Sequence, residues 1–199
     1  MGIRLHHLYK AFGEKRVLQD LQAEFPAGRC TCIMGESGLG KTTLLRILMG
    51  LATADAGEIT GTENLIVGAV FQEDRLCESF SAVANVAFAC NKAVSKGEII
   101  DHLTAVGLAQ SARQPVRELS GGMRRRVAVV RAVLSGANLL LMDEPFKGLD
   151  QESKETAAAY LKAHTQGKTI LMATHSLEEV ALMDGCPFYL QEAMGGRIS

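Results

Sequence analysis

The chain has 199 residues, a formal net charge of −1 and 47% apolar residues. That suits one domain with a large buried core and room for a small inserted lobe. The balanced charge excludes the global basic field of a nucleic-acid binder. No apolar run reaches the roughly 18–20 residues that cross a bilayer. The start, "MGIRLHHLYKAFGEK", has neither a signal-peptide core nor a myristoylation pattern after Gly2. A cytosolic protein is expected, unless something carries it to a membrane. The five cysteines are then expected as reduced thiols. Cys30 and Cys32 share a strand face, but no second Cys or His pair completes a zinc site.

Residues 3–25 alternate in polarity and turn at Gly13–Glu14, predicting an antiparallel strand pair at a sheet margin. His6 and His7 are adjacent there and are expected on opposite faces. "CTCIM" (30–34) reads as a buried strand. "TTLLRILMG" (42–50) reads as a helix with Leu44, Leu45, Ile47 and Leu48 inward and Gly50 closing it. "LIVGAVF" (65–71) is another strand. Residues 76–118 lack strand-like runs and read as helices joined by polar turns, a candidate inserted lobe. His102 and His164 are expected on exposed helix faces. "NLLLMD" (138–143) lacks alternation, so it is expected to be buried on both faces. "KTILMAT" (168–174) follows. Strands alternating with helices predict an α/β fold with a mostly parallel sheet.

"GESGLGKTT" (35–43) fits the spacing G-x-x-x-x-G-K-[ST]. Such a loop needs glycines so that backbone N–H groups can close around phosphate oxygens. The following helix aims its positive end at the same anion. Gly35, Glu36, Ser37, Gly38, Gly40, Lys41, Thr42 and Thr43 are therefore candidate nucleotide-binding residues. Lys41 is expected on the β- and γ-phosphates, and the Thr42 hydroxyl on Mg²⁺. "LLLMDEP" (139–145) is an apolar strand ending in two carboxylates. Asp143 suits Mg²⁺ held through water. Alternation turns Glu144 the other way, toward an attacking water as general base.

"LSGGM" (119–123), ahead of "MDEP", resembles the signature of the ATP-binding-cassette ATPases. The resemblance extends over nearly the whole chain. "AFGEKRVL" (11–18) is similar to the adenine-stacking segment and implies Phe12 beneath the base; the alternative reading of Phe12 is a core aromatic. "VFQED" (70–74) resembles the Q-loop, with Gln72 near Mg²⁺ and the attacking water. "GLD" (148–150) resembles the D-loop, with Asp150 at the nucleotide. "ATHSLEEV" (173–180) resembles the switch segment, with His175 followed by a Ser-x-x-Glu capping box. The implied fold is a single domain spanning 1–199. It has a P-loop NTPase (RecA-like) core, an antiparallel β margin and a helical subdomain inserted at about 73–134.

The same resemblance implies a head-to-tail dimer, in which Ser120, Gly121 and Gly122 meet ATP bound to the second copy. Met123, Val127, Val130 and Leu134 are expected as the inward stripe of the helix that follows. Arg124, Arg125 and Arg126 read as a polar helix face that also attracts the triphosphate, or as a nucleic-acid contact; Arg126 is expected to reach an acidic partner within the fold. Three positions depart from the family pattern. Phe12 stands where many members carry Tyr, Lys147 stands where the residue is usually small, and 51–65 is short, implying trimmed strands. With "GGRIS" ending the sequence, no C-terminal regulatory domain is expected.

"FQEDRLCESFSAVANVAF" (71–88) and "PVRELSGGMRRRVAVVRAV" (115–133) resemble importers of nitrate, sulfonates and taurine, although Glu78-Ser79 replaces a frequent Pro-Trp. The implied function is ATP hydrolysis energising import of a small solute. ATP and Mg²⁺ are the implied cofactors. The implied partners are a membrane permease, a second copy and, through the permease, an extracytoplasmic solute-binding protein, with no nucleic acid. The implied place is the cytoplasmic face of the membrane. The alternatives are an exporter ATPase, and a non-transport member of the family acting on ribosomes or DNA.

Overall fold

A computed structural model describes residues 2–90 and 94–194; the final "GGRIS" lies outside this range. Strands β1 (Ile3–Phe12), β2 (Lys15–Phe25) and β4 (Ala56–Thr60) form a three-stranded antiparallel sheet in the order β2-β1-β4. It is a separate sheet, not the margin of the parallel one. Its alternation places Ile3, Leu5, Leu18, Leu21 and Phe25 inward. The expected opposition of His6 and His7 fails because β1 bulges there. His7 takes φ 48°, both histidines are exposed, and Leu8 is the next buried residue. His7 Nδ1 lies 2.6 Å from Asp20 Oδ1.

The second sheet is wholly parallel. It contains β3 (Cys30–Met34), β5 (Val67–Val70), β6 (Leu139–Asp143), β7 (Thr169–Thr174) and β8 (Cys186–Tyr189), in the order β5-β6-β7-β3-β8. Every residue of β6 and β7 is buried, which the unbroken apolar runs require of a strand covered on both faces. Neighbouring residues serve opposite sides. Ile33, Leu139, Leu141, Leu171 and Ala173 pack with the antiparallel sheet and with α1 (Lys41–Leu48). Cys32, Met34, Leu140, Met142, Ile170 and Met172 belong to the core on the other side. Each fully buried Leu or Ile contributes about 1.5–3 kcal/mol. Cys30 is half-buried, and its Sγ lies 4.0 Å from that of Cys32; both are free thiols.

The other core is covered by α2 (Ala82–Ala87), α3 (Lys96–Ala105), α4 (Gly121–Leu134) and α5 (Gln151–His164). Ser81 caps α2 through its side chain, and Ser95 with Glu98 completes a capping box on α3. The inward stripe expected on α4 is too narrow. Val127, Ala128, Val129, Val130, Ala132 and Val133 are all buried, whereas Met123 and Leu134 are half-buried. α4 lies against α2, α3, α5 and β5, so little of it faces water. His164 is exposed, as expected, but His102 is not. His102 is half-buried, its ring packs 4.7 Å from that of His164, and Tyr160 lies against both. Two short helices, α6 (Leu177–Leu182) and α7 (Leu190–Ala193), complete the fold. No helix of the described residues is long and apolar enough to cross a membrane.

Candidate nucleotide site

The site begins where β3 ends and α1 starts. Gly40 is the N-cap of α1 at φ 112°, a backbone conformation that L side chains rarely adopt. A Cβ there would come within 2.9 Å of Val17 Cγ1 and 3.1 Å of the Val17 carbonyl. No side chain caps α1, and its first turn contains no acidic residue. Its leading N–H groups are therefore free to receive an anion. Lys41 is 7% exposed. Its Nζ donates to the carbonyls of Gly35 (2.5 Å) and Glu36 (2.8 Å). Burial lowers its pKa, against the opposing pull of Glu144 and Asp143.

A cleft of about 280 Å³ opens over this loop. Ser37, Gly38, Gly40, Lys41, Thr42 and Thr43 line one side; Phe12, Gln72, Asp143 and Glu144 line the rest, with Lys15 and Val17. Phe12 is 55% exposed, so its reading as a core aromatic falls. Asp143 ends β6 and is 5% exposed. Burial raises its pKa, while the Thr42 hydroxyl beside it pulls the other way.

Glu144 departs from strand geometry. It adopts φ 49°, a left-handed conformation that costs a non-glycine residue about 1–3 kcal/mol. Alternation was expected to turn it away from Asp143, yet the kink brings both carboxylates to one cleft. One Glu144 oxygen accepts from Lys147 Nζ at 2.7 Å, and the other lies 3.7 Å from His175 Nδ1. The Lys147 hydrogen bond is the main cause holding the Glu144 carboxyl below its usual range. His175 follows the buried β7, with its side chain 74% exposed.

The remaining candidates lie elsewhere. None of Ser120, Gly121, Gly122 or Asp150 lines the cleft. Ser120 caps α4, its Oγ accepting from the Met123 N–H at 3.3 Å. Asp150 caps α5, its Oδ1 accepting from the Ser153 N–H at 2.8 Å, and that bond holds its carboxyl below the usual range. A Cβ on Gly122 would lie 3.2 Å from Leu149 Cδ2, so the signature packs beside residues 148–150. These four residues thus lie outside the cleft.

The family model for ABC transporters matches residues 18–147. The chain belongs to this family. Nod factor export ATP-binding protein I of Cupriavidus pinatubonensis is 36% identical, aligning with 98% of this chain and 64% of its own length. A sulfate/thiosulfate import ATP-binding protein of Burkholderia mallei is 35% identical, aligning with 90% of this chain and 57% of its own. The chain therefore spans less than two thirds of the length of these relatives. A dimeric ATP-binding cassette, solved in a post-hydrolysis state bound to ADP and Pi, superposes with TM-score 0.83. It is 26% identical, with coverage of 98% of this chain and 97% of that one. The fold is that of an ABC ATPase cassette.

Sequence reading did not find every neighbour of the site in this ABC cassette. Among the described residues, Arg126 makes no ion pair with an acidic side chain. Arg126 donates to the Val106 carbonyl at 2.8 Å, and Arg125 is the one 3.3 Å from Asp74. The expected capping box at Ser176 is half formed. Ser176 Oγ accepts from the Glu179 N–H, but the Glu179 carboxylate accepts from the Thr174 hydroxyl at 2.5 Å. The contact of Lys147 with Glu144 was also missed; its only signal is a cation three residues on, across a turn.

Proposed function

We propose that the chain is the ATP-binding and hydrolysing subunit of an ABC transporter. It works as a head-to-tail pair on a separate membrane permease. The observation that carries this reading is that four of the candidate groups lie outside the cleft. The phosphate loop, Asp143 and Glu144 line it, with His175 3.7 Å from Glu144, whereas Ser120–Gly122 and Asp150 do not. A second copy in the opposite sense brings its own set to that cleft.

The chemistry suits a nucleoside triphosphate. Phe12 offers an exposed ring for stacking. The uncapped α1 N-terminus and Lys41 receive the phosphates. Across the interface, Ser120 and the backbone of Gly121 and Gly122 approach the γ-phosphate. Glu144 takes a proton from the attacking water, while His175 and Gln72 orient it. The residues also fit Mg²⁺. One buried carboxylate (Asp143), one hydroxyl (Thr42) and one amide (Gln72) are a hard, oxygen-only set that leaves room for phosphate and water. Among the described residues no group of three or more His, Cys, Asp or Glu side chains could form a metal cage instead. When bound, Mg²⁺ supplies charge neutralisation on the phosphates.

In this reading the chain sits on the cytoplasmic face of the membrane, and closure of the pair shifts the permease between two states. Import of a small solute, with an extracytoplasmic solute-binding protein serving the permease, is supported by the sulfate/thiosulfate import relative. Export is the second reading, favoured by the Nod factor export relative. The test is capture of tagged Glu144→Gln protein from detergent-solubilised native cells with ATP and Mg²⁺. The expected result is co-purification of a polytopic membrane protein. Recovery of ribosomes or DNA-bound proteins alone would overturn the transport role.

A further inference from the structure

Gln72 stands on a segment that has no regular structure of its own. Residues 71–75 lie between β5 and α2, in no strand or helix. Among the described residues, no backbone N–H reaches the carbonyls of residues 72–75. Two arginines of α4 take those of Gln72, Asp74 and Arg75, together with the Phe71 carbonyl. Arg125 donates through Nη1 to the Phe71 carbonyl at 2.5 Å and through Nη2 to the Gln72 carbonyl at 2.6 Å. Arg131 donates through Nη1 to the Arg75 carbonyl at 2.7 Å and through Nη2 to the Asp74 carbonyl at 2.9 Å.

The grip is costly to build. Arg125 is 5% exposed, so its charge has left water; its Nε has no partner, and Asp74 Oδ1 is 3.3 Å from Nη1. A buried guanidinium persists where its fixed fork meets matching acceptors. Here each fork spans the carbonyls of two adjacent residues.

We propose that Arg125 and Arg131 are positioning residues that set the path of residues 71–75, and through it the place of Gln72 beside Thr42 and Asp143. The proposal rests on the ATPase reading above. It adds a mechanical link. α4 starts at Ser120, on the surface assigned to the second copy's nucleotide, and Arg125 follows a little more than one turn later. A tilt of α4 at its signature end is carried to the Gln72 backbone.

The test uses Arg125→Lys and Arg131→Lys in the full chain. Lysine keeps the charge but cannot present two donors in a fixed fork. The expected result is at least about a tenfold fall in kcat with KM changed less than about threefold. The Cys77 amide, which ends this segment by donating to Asn85 Oδ1, should exchange at least about tenfold faster in the nucleotide-free protein. The deciding comparison is a double-mutant cycle with Gln72→Ala. If the clamp acts through Gln72, Arg125→Lys costs little further kcat once Gln72 is gone. Additive losses, an unchanged kcat, or unchanged exchange would overturn the proposal. If Arg125→Lys does not fold, the surface-side Arg131→Lys carries the same three readouts. Absence of ATP hydrolysis by the unmodified chain would instead strike the ATPase reading, and amide exchange alone would then judge the clamp.

Discussion

Lys147 Nζ lies 2.7 Å from Glu144 Oε2, while His175 Nδ1 stands 3.7 Å from Oε1 of the same carboxylate. Lys147 is 54% exposed, so the pair adds at most about 1 kcal/mol to stability. Its weight falls on proton affinity. The Lys147 hydrogen bond is the leading cause of the lowered Glu144 pKa, with burial opposing and the charges of Lys147, His175 and Lys41 assisting. Removing Lys147 lets that pKa rise toward the ordinary carboxylate value. A base that must be ionised then fails at higher pH. Lys147→Ala should move the acid limb of ATP turnover upward, and Lys147→Arg should leave it near its original place. Turnover measured from about pH 3.5 to 7 checks this; an unmoved limb would separate Lys147 from the reacting base.

Glu144→Gln keeps the side-chain shape and removes the proton acceptor. ATP affinity should stay within a few-fold, and turnover should fall by about 100-fold or more. Turnover at the original rate would remove Glu144 as the base.

The phosphate loop makes two distinct demands. Gly40→Ala places a methyl group against Val17 at φ 112°. It should cost about 1–3 kcal/mol, read as a lower Tm, and should weaken ATP binding. Lys41→Ala removes the donor to the Gly35 and Glu36 carbonyls along with the phosphate ligand, and should abolish measurable nucleotide binding in calorimetry. Unchanged affinity in Lys41→Ala would contradict the loop's assignment.

The stability of the α3–α5 contact should depend on pH. The Tyr160 hydroxyl lies 3.0 Å from His102 Nδ1, and donates to it when that nitrogen is unprotonated. Burial first, and His164 second, lower the His102 pKa, with Asp101 and Glu98 opposing. The unfolded chain, with His near 6.5, then binds more protons than the folded one in the window below that value. Stability therefore falls as pH drops through about 6.5 toward the folded pKa. His102→Gln should flatten this fall. Melting curves at about pH 7.5 and 5.5 compare the two proteins, and equal pH dependence would remove His102 as its source.

The strands at 30–34, 138–143 and 168–174 were legible because a strand covered on both faces needs an unbroken apolar run; 65–71 carries such a run although β5 is an edge strand with Val67 exposed. β8 was not legible, since "CPFY" is short and carries Pro187, which an edge strand tolerates. The phosphate loop and the two carboxylates were legible because their chemistry fixes residue types over a few neighbouring positions. The His7 bulge and the left-handed turn at Glu144 leave no such pattern. The grip of Arg125 on Gln72 joins residues 53 apart, so "MRRRV" read alone suggested a polar face attracting the triphosphate, or a nucleic-acid contact, and not a backbone clamp.

The most direct test of the account is the assembly state of Glu144→Gln protein with ATP and Mg²⁺, measured by sedimentation beside the double variant Glu144→Gln with Ser120→Arg. The first should form an ATP-dependent dimer. The second should remain monomeric while binding ATP with little change, since Ser120 lies outside its own cleft. ATP-saturated Glu144→Gln protein that stays monomeric, or a dimer indifferent to Ser120→Arg, would contradict a nucleotide shared between two copies.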